Sequence, residues 1–386
     1  MNEPPVHASP FIQVLDSCGA RAQKVLVVKS GGKEFVSWII DTLHKWKPEL
    51  AISLFCHEGE EISGLENIIY PDPNYFRLGF VDLAELRRSR FDLVVVPYST
   101  NRRLHPEYYE LDSIATTIRA ESVIACYLDR TAVILDQELL KLKADSVVKP
   151  YLEQRYKAIE EICAFTGEDQ VTVENKCDMA GKIAGCLWLA KAPRTEEEII
   201  DFYGENDFYI YQLMKENDWR GARSDLAETI IAESNPQDRV CDYGGGCGAL
   251  SIALAQAGFR TVHLDLPGRL LDFAAFRFRQ RDLDVQVIPA TGKYPLEGSF
   301  DGIICTHVLE HLSDPEEKLS HMAGHLEAGG KIFLAVPFEP NQASGTHPGM
   351  HLNRLSYERY REIINELGFR LARKEGELDI FVRVKR

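Results

Sequence analysis

Two stretches of the chain alternate between short apolar runs and helical patterns, and a differently patterned stretch lies between them. The first opens with Lys24-Val-Leu-Val-Val-Lys-Ser-Gly-Gly32, followed by a helical pattern over 34–46. Further apolar runs start at Leu50, Phe91 and Ser122. Runs of this kind, alternating with amphipathic helices, predict buried strands in a parallel, doubly wound sheet. Between 144 and 223 charged and aromatic residues recur at helical spacing, and Thr195 with Glu198 fits a capping box, so a helix starts there. From about 225 the alternation returns more clearly. Strands are expected at 239–243, 261–265, 285–289, 301–306 and 331–336, with helices at 249–256, 269–281, 315–326 and 357–367. Two last runs, 369–374 and 379–384, flank Glu375-Gly376-Glu377. They predict a terminal hairpin, which places an antiparallel strand in a seven-stranded, otherwise parallel sheet.

The expected organisation is a tail over 1–19, a Rossmann-like α/β domain over 20–143, a helical connector or lid over 144–223, and a second α/β domain over 224–386. The length of 386 residues suits two domains. No internal repeat or low-complexity segment interrupts them.

Composition narrows the function classes. The chain is 45% hydrophobic and 27% charged, with 59 acidic against 44 basic residues and a net charge of −15. Such a surface repels polyphosphate and excludes bulk nucleic-acid binding. No apolar run reaches the roughly 18–20 residues a bilayer span needs, and the start MNEPPVHASP lacks a secretory pattern. Nine scattered cysteines, never paired as C-x-x-C, suit reduced thiols in a cytoplasmic protein. The expected partner is a small-molecule substrate, not a membrane, and a homodimer is left open.

The chemistry gathers at Cys241-Asp-Tyr-Gly-Gly-Gly-Cys-Gly248. Four glycines in five positions imply a close approach to bare backbone. The run reads as G-x-G-x-x-A through Gly244, Gly246 and Ala249, a dinucleotide fingerprint, and equally as D-x-G-x-G-x-G through Asp242. A dinucleotide places pyrophosphate at the helix N-terminus, where a carboxylate opposes it. Asp242 therefore favours a ligand with an ammonium or sulfonium cation and no phosphate, and S-adenosylmethionine is such a ligand. Asp265 ends the next strand 23 residues on, where a ribose-binding acid is expected in either reading. The competing functions are a nicotinamide-dependent oxidoreductase and a non-catalytic cofactor-binding scaffold.

Asp242-x-Gly244-x-Gly246-x-Gly248, Asp265, the stretch from Phe300 through Glu310-His311 to Pro315, the stretch 326–337 and the terminal hairpin together resemble class I S-adenosylmethionine-dependent methyltransferases. The resemblance implies that the turn Gly244, Gly245, Gly246 and Gly248 passes beneath the methionine moiety. It implies that Asp265 accepts from both ribose hydroxyls, that Leu266 packs on adenine, and that Ala290 and Thr291 edge it. Thr306 and His307 would pass beside the sulfonium. The family often carries an acid near Ala290, and this chain has none. The opening Lys24–Gly32 resembles the N-terminal half of heptosyltransferase-type glycosyltransferases; no chemistry is assigned to it.

Histidines recur at i,i+4 as His307/His311, His321/His325 and His347/His351. His307-x-x-Glu310-His311 matches a zinc-protease pattern, but it directly follows a buried strand, and no metal site is assigned. His321 and His325 are expected on a solvated helix face. His311 lies just past a strand end on the ligand-bearing edge of the sheet. It is the candidate base for removing an acceptor's proton; the alternative is a histidine bonding locally at a helix start. His351 is a second candidate base. His347 and Arg354, in the loop before the last helix, and Tyr203, Tyr209 and Tyr211, in the lid, are candidate substrate contacts, with loop surface and helix packing as the alternatives. The expected function is methyl transfer from S-adenosylmethionine, giving S-adenosylhomocysteine, to a small-molecule hydroxyl on a sugar or other secondary metabolite.

Overall fold

The computed structural model describes residues 9–70, 86, 89–99, 109–219, 224–337, 352 and 355–384. The chain divides into two compact units, Met1–Glu153 and Gln154–Arg386.

The first unit holds a six-stranded sheet of β1 (Lys24–Val28), β2 (Ala51–His57), β3 (Glu66–Tyr70), β4 (Arg90–Tyr98), β5 (Arg119–Tyr127) and β6 (Ala132–Leu135), in the order β3-β2-β1-β4-β5-β6. All neighbours are parallel except β6, which runs against β5. Strands β3 and β6 are not expected from the sequence, because neither is a continuously buried run. The segment expected as a tail contains a helix, Pro10–Cys18. Its Phe11, Ile12 and Leu15 are buried in the core with β1 and the Lys33–Trp46 helix.

The second unit begins within the Lys149–Thr166 helix and continues through helices Gln170–Lys191, Glu196–Glu205 and Phe208–Leu213. The Thr195 side chain accepts from the Glu198 N–H while the Glu198 carboxylate accepts from the Thr195 N–H, completing the expected capping box. A π-helical segment, Met214–Trp219, follows.

Seven strands make the second sheet: β7 (Arg239–Tyr243), β8 (Arg260–Asp265), β9 (Val285–Pro289), β10 (Phe300–Thr306), β11 (Leu326–Ala335), β12 (Phe369–Glu375) and β13 (Leu378–Arg383). Their order is β12-β13-β11-β10-β7-β8-β9. The five strands β7–β11 are parallel, and the hairpin inserts β13 antiparallel beside β11. Each expected strand and helix of this region is present within a few residues of its expected ends. The central strands are apolar on both faces because helices cover both: β7 and β10 are buried nearly throughout. One face packs Ile303, Cys305 and Phe381 beneath the Pro315–Gly324 and Tyr357–Glu366 helices, and the other packs Val240, Ile304 and Phe333 beneath Ser224–Ala232 and Ala249–Gln256.

The chain order reverses between β10 and β7. Connections leave those two strands toward opposite faces, so a crevice opens over their C-terminal ends. Phe333 lies at the centre of the sheet and is fully buried against Val240 and Ile304. Phe333→Ala is expected to lower stability by about 3–5 kcal/mol in urea unfolding, and a loss below about 1 kcal/mol would contradict its core position.

Candidate active site

The crevice is a cavity of about 680 Å³, walled by the ends of β7, β8 and β10, the loops that follow them, and the helices before the sheet. Its floor is the glycine turn. Gly244, Gly246 and Gly248 take φ of +72°, +59° and +78°, a region costly for residues with a Cβ. The turn is tied to β8: the Gly244 and Gly245 N–H groups donate to the Leu264 carbonyl at 2.7 and 3.2 Å. A Cβ on Gly245 would stand 2.5 Å from the His263 ring and 2.7 Å from Asp242 Oδ2.

Asp242 is almost wholly buried at the end of β7 and contributes to the cavity wall. The Ser251 hydroxyl donates to its Oδ2 at 2.7 Å, and Ser251 Oγ lies 2.9 Å from His263 Nδ1. Since the one hydroxyl proton goes to Asp242, Ser251 accepts from Nδ1–H, which fixes the His263 tautomer. Burial, reinforced by Arg277, lowers the His263 pKa to about 4, so it is neutral and its hydrogen bond keeps one direction at ordinary pH.

Asp265, at the end of β8, accepts from the Gly246 N–H at 2.6 Å and from the Leu266 N–H at 2.7 Å. Enclosure by protein raises its pKa to about 6; the two amides oppose the rise, and the neighbouring Asp242 charge adds a smaller push in the same direction. Each carboxylate oxygen has two acceptor sites, so these bonds leave capacity for a diol.

β10 delivers a further edge of the cavity. Thr306 ends the strand, and His307 turns the chain at a φ of +56°. A single 3₁₀ turn, Leu309–His311, brings Glu310 and His311 back to the cavity. His311 Nδ1 lies 3.0 Å from the Tyr203 hydroxyl. Glu310, nearly fully buried, places Oε1 3.6 Å from His307 Nδ1 and 4.0 Å from His311 Nε2. His307 Nε2 lies 3.0 Å from Glu377 Oε1, in the turn of the terminal hairpin. Because the segment is a 3₁₀ turn, the two imidazoles do not share an α-helical face. Among the described residues no group of three or more His, Cys, Asp or Glu side chains is arranged to hold a metal.

The opposite wall is helical, drawn from the stretch expected as a connector or lid. Trp188, Phe202 and Phe208 form its apolar core, and Tyr203 and Tyr209 pack against it and line the cavity. Burial raises both phenol pKa values well above the usual one. The approach of lid to sheet depends on two glycines. A Cβ on Gly268 would lie 2.7 Å from the Gly204 carbonyl oxygen, and one on Gly204 would lie 3.2 Å from that of Pro267.

The cavity thus gathers Asp242, Gly244, Gly245, Gly246, Asp265, Leu266, Ala290, Thr306, His307, His311, Tyr203 and Tyr209. Three expected contacts fall outside its wall. Gly248 caps the Ala249–Gln256 helix, and a Cβ there would stand 2.7 Å from Phe278. Thr291 directs its N–H to the Pro289 carbonyl and does not reach the cavity. Tyr211 belongs to the helix packing: its hydroxyl donates to Glu168 at 2.8 Å and Lys176 lies over its ring. His347, His351 and Arg354 lie outside the described residues. His321 and His325 do not face solvent alone: His321 Nε2 accepts from the Leu296 N–H, and His325 Nδ1 pairs with the Gly298 carbonyl.

Sequence reasoning passed over Gln212, Glu216, Asn217, Glu310, Lys318 and Glu377, all in the wall. Only Glu310 had a signal, inside the His-x-x-Glu-His pattern. The others reach the cavity through tertiary packing of the lid, a helix and the hairpin turn.

A family model described as a methyltransferase domain matches residues 212–373. The magnesium-protoporphyrin O-methyltransferase of Synechocystis sp. is 30% identical over 166 residues, covering 37% of this chain and 68% of the relative. A ubiquinone biosynthesis O-methyltransferase of Caulobacter vibrioides is 35% identical over 98 residues, 25% of this chain and 39% of the relative. The crystal structure of a Synechocystis magnesium protoporphyrin IX methyltransferase with bound SAM covers 53% of this chain and 97% of its own, at 21% identity and a TM-score of 0.37. The match therefore spans about two thirds of the first relative and well under half of the second. By the family model and the extent of the Synechocystis match, the chain belongs, through its C-terminal part, to the class I S-adenosylmethionine-dependent methyltransferases.

Proposed function

We propose that the second unit moves a methyl group from S-adenosylmethionine to a hydroxyl oxygen of a small-molecule acceptor. The observation that carries this reading is the meeting, in one cavity, of two strand-end carboxylates on one side and the Tyr203–His311 pair on the other. The cavity volume of about 680 Å³ lies within the usual range for small-molecule sites, roughly 300–1,000 Å³. The donor set fits the cofactor: acids flank the glycine turn, which suits an ammonium and a ribose diol and opposes a pyrophosphate. When bound, the cofactor supplies an electrophilic methyl carbon.

The residues act by holding and by moving one proton. Asp242, oriented through Ser251, takes the ammonium side, and Asp265 takes the ribose hydroxyls. Methyl transfer is an in-line displacement, so fixing both reactants supplies much of the acceleration. With its proton on Nδ1, His311 donates to the Tyr203 oxygen and presents Nε2 to the acceptor hydroxyl. The nearby Glu310 carboxylate favours the imidazolium formed as that proton arrives. The wall around His311 includes Ile199, Ile200, Tyr203, Tyr209 and Leu352. An apolar, aromatic wall favours a hydroxyl on an apolar or aromatic frame over a sugar, whose other hydroxyls would lose water there without replacement. The names of the relatives, a magnesium-protoporphyrin and a ubiquinone biosynthesis O-methyltransferase, likewise carry ring frames and no sugar.

Labelled methyl donor, offered with a panel of hydroxylated aromatics and sugars, identifies the acceptor. With that acceptor, His311→Ala is expected to lower kcat by about 10²–10⁴-fold, with S-adenosylhomocysteine affinity retained. Unchanged turnover would remove the base role. The carboxylate of Asp265 is the form that accepts from a diol, and it is lost as pH falls through about 6. S-adenosylhomocysteine binding, followed by calorimetry from pH 8 to pH 5, is therefore expected to weaken below about pH 6. In Asp265→Asn binding is expected to be weak at every pH, with that dependence flattened. A wild-type affinity constant across the range would contradict the assignment.

A further inference from the structure

Arg277, on the Arg269–Gln280 helix, is 1% exposed and takes no direct part in the chemistry above. Its three nitrogens go to three separate segments. Nε donates to Glu161 Oε2 at 2.9 Å, on the Lys149–Thr166 helix. Nη1 donates to the Cys247 carbonyl at 2.6 Å, inside the glycine turn. Nη2 donates to Asp218, on the Met214–Trp219 segment. Arg281 also reaches Glu161, so two cations face two carboxylates and the buried charge is balanced.

The Asp218 end matters because its neighbours form the cavity wall. Glu216 and Asn217 line it, together with Gln212 and Leu213. This segment rests directly on the turn: a Cβ on Gly246 would lie 2.8 Å from Leu213 Cδ1, and the Asn217 amide lies 3.8 Å from Cys247 Sγ. One guanidinium therefore bonds to the floor of the site by Cys247 and to a wall by Asp218. Only a planar fork with fixed donor directions reaches all three partners; a lysine ammonium has a single centre.

We propose that Arg277 is a positioning residue that fastens the Met214–Trp219 segment over the glycine turn and thereby sets how long the bound cofactor is retained. A buried ion pair is weak support for stability alone, because its desolvation cost can match its attraction. Orientation is the better reason for burying a charge here. The proposal rests on the assignment of S-adenosylmethionine to this cavity.

The test uses the full chain and S-adenosylhomocysteine, so no acceptor is needed. Affinity comes from calorimetry, dissociation rate from stopped-flow fluorescence, and foldedness from thermal melts. Arg277→Lys and Asp218→Asn are each expected to weaken binding by roughly tenfold, mostly through faster dissociation. The double variant is expected to lose no more than the worse single one, because both changes break the same link. Affinity and dissociation rate within about twofold of wild type in both folded single variants would overturn the proposal, as would a double variant whose loss is the product of the two. Should Arg277→Lys fail to fold, Asp218→Asn decides alone, since Asp218 is partly exposed and its side chain meets Arg277 and Cys247 among the described residues. A wild-type chain that bound no S-adenosylhomocysteine would overturn the cofactor assignment itself, so the two failures are distinguishable.

Discussion

The glycine turn between β7 and the Ala249–Gln256 helix has no room for side chains, and the rest of the site is arranged around that fact. Val308 from the β10 end, His263 and Asp242 from the strands, Leu213 from the lid and Phe278 from the next helix each approach the place a Cβ would occupy. Backbone packed from so many directions is rigid without help from its own sequence. A rigid floor matters because alignment at carbon tolerates little displacement of either reactant. The same packing explains why the lid belongs to the second unit: its Leu213 completes the cover over Gly246.

Two buried carboxylates lie beside that floor, and their surroundings differ. Asp242 faces a neutral Ser251–His263 relay that donates one hydrogen bond and adds no charge. Asp265 receives two backbone amides, yet enclosure still leaves its pKa raised. The pH effects on stability run in opposite directions. His263, with a lowered pKa, costs stability as pH falls from about 6.5 toward about 4, because the unfolded chain then binds the proton more readily. Asp265, with a raised pKa, favours the folded state as pH falls from about 6 toward its unfolded value. The windows overlap, so the two contributions largely offset one another.

Much of the second unit was legible in the sequence. Strands buried on both faces read as continuous apolar runs, and Asp242 with its glycines and Asp265 stood at the strand ends where the cavity opens. What stayed hidden depended on contacts distant in sequence. Tyr203, Tyr209 and Tyr211 look alike in Asp201–Tyr211, but helical rotation sends Tyr211 to Glu168 and Lys176 while the other two face the cavity. Arg277 sits among Arg269, Arg279 and Arg281, and nothing in its neighbours marks it as the buried one. In the first unit β3 and β6 were missed because their exposed residues hide the periodicity. The helix at Pro10–Cys18 was missed because nine residues seldom stand out without knowledge of the core they cover.

His307 shows how the terminal hairpin enters the site. A non-glycine residue at a φ of +56° is held at a cost of order 1 kcal/mol, which the surrounding contacts must offset. Here the His307 N–H donates to the Ala335 carbonyl at 2.8 Å, extending the β10–β11 ladder past the strand end. Its ring lies between Glu310 and Glu377. Glu377 occupies the turn between β12 and β13, and β13 is registered against β11 from Lys331 to Ala335. The antiparallel pairing therefore fixes where Glu377 falls, and Glu377 helps fix the turn at His307. That turn directs the chain so that Glu310 and His311, three and four residues on, also line the cavity. A hairpin at the edge of the sheet is thus coupled, through one strained residue, to the imidazole that meets Tyr203 in the cavity.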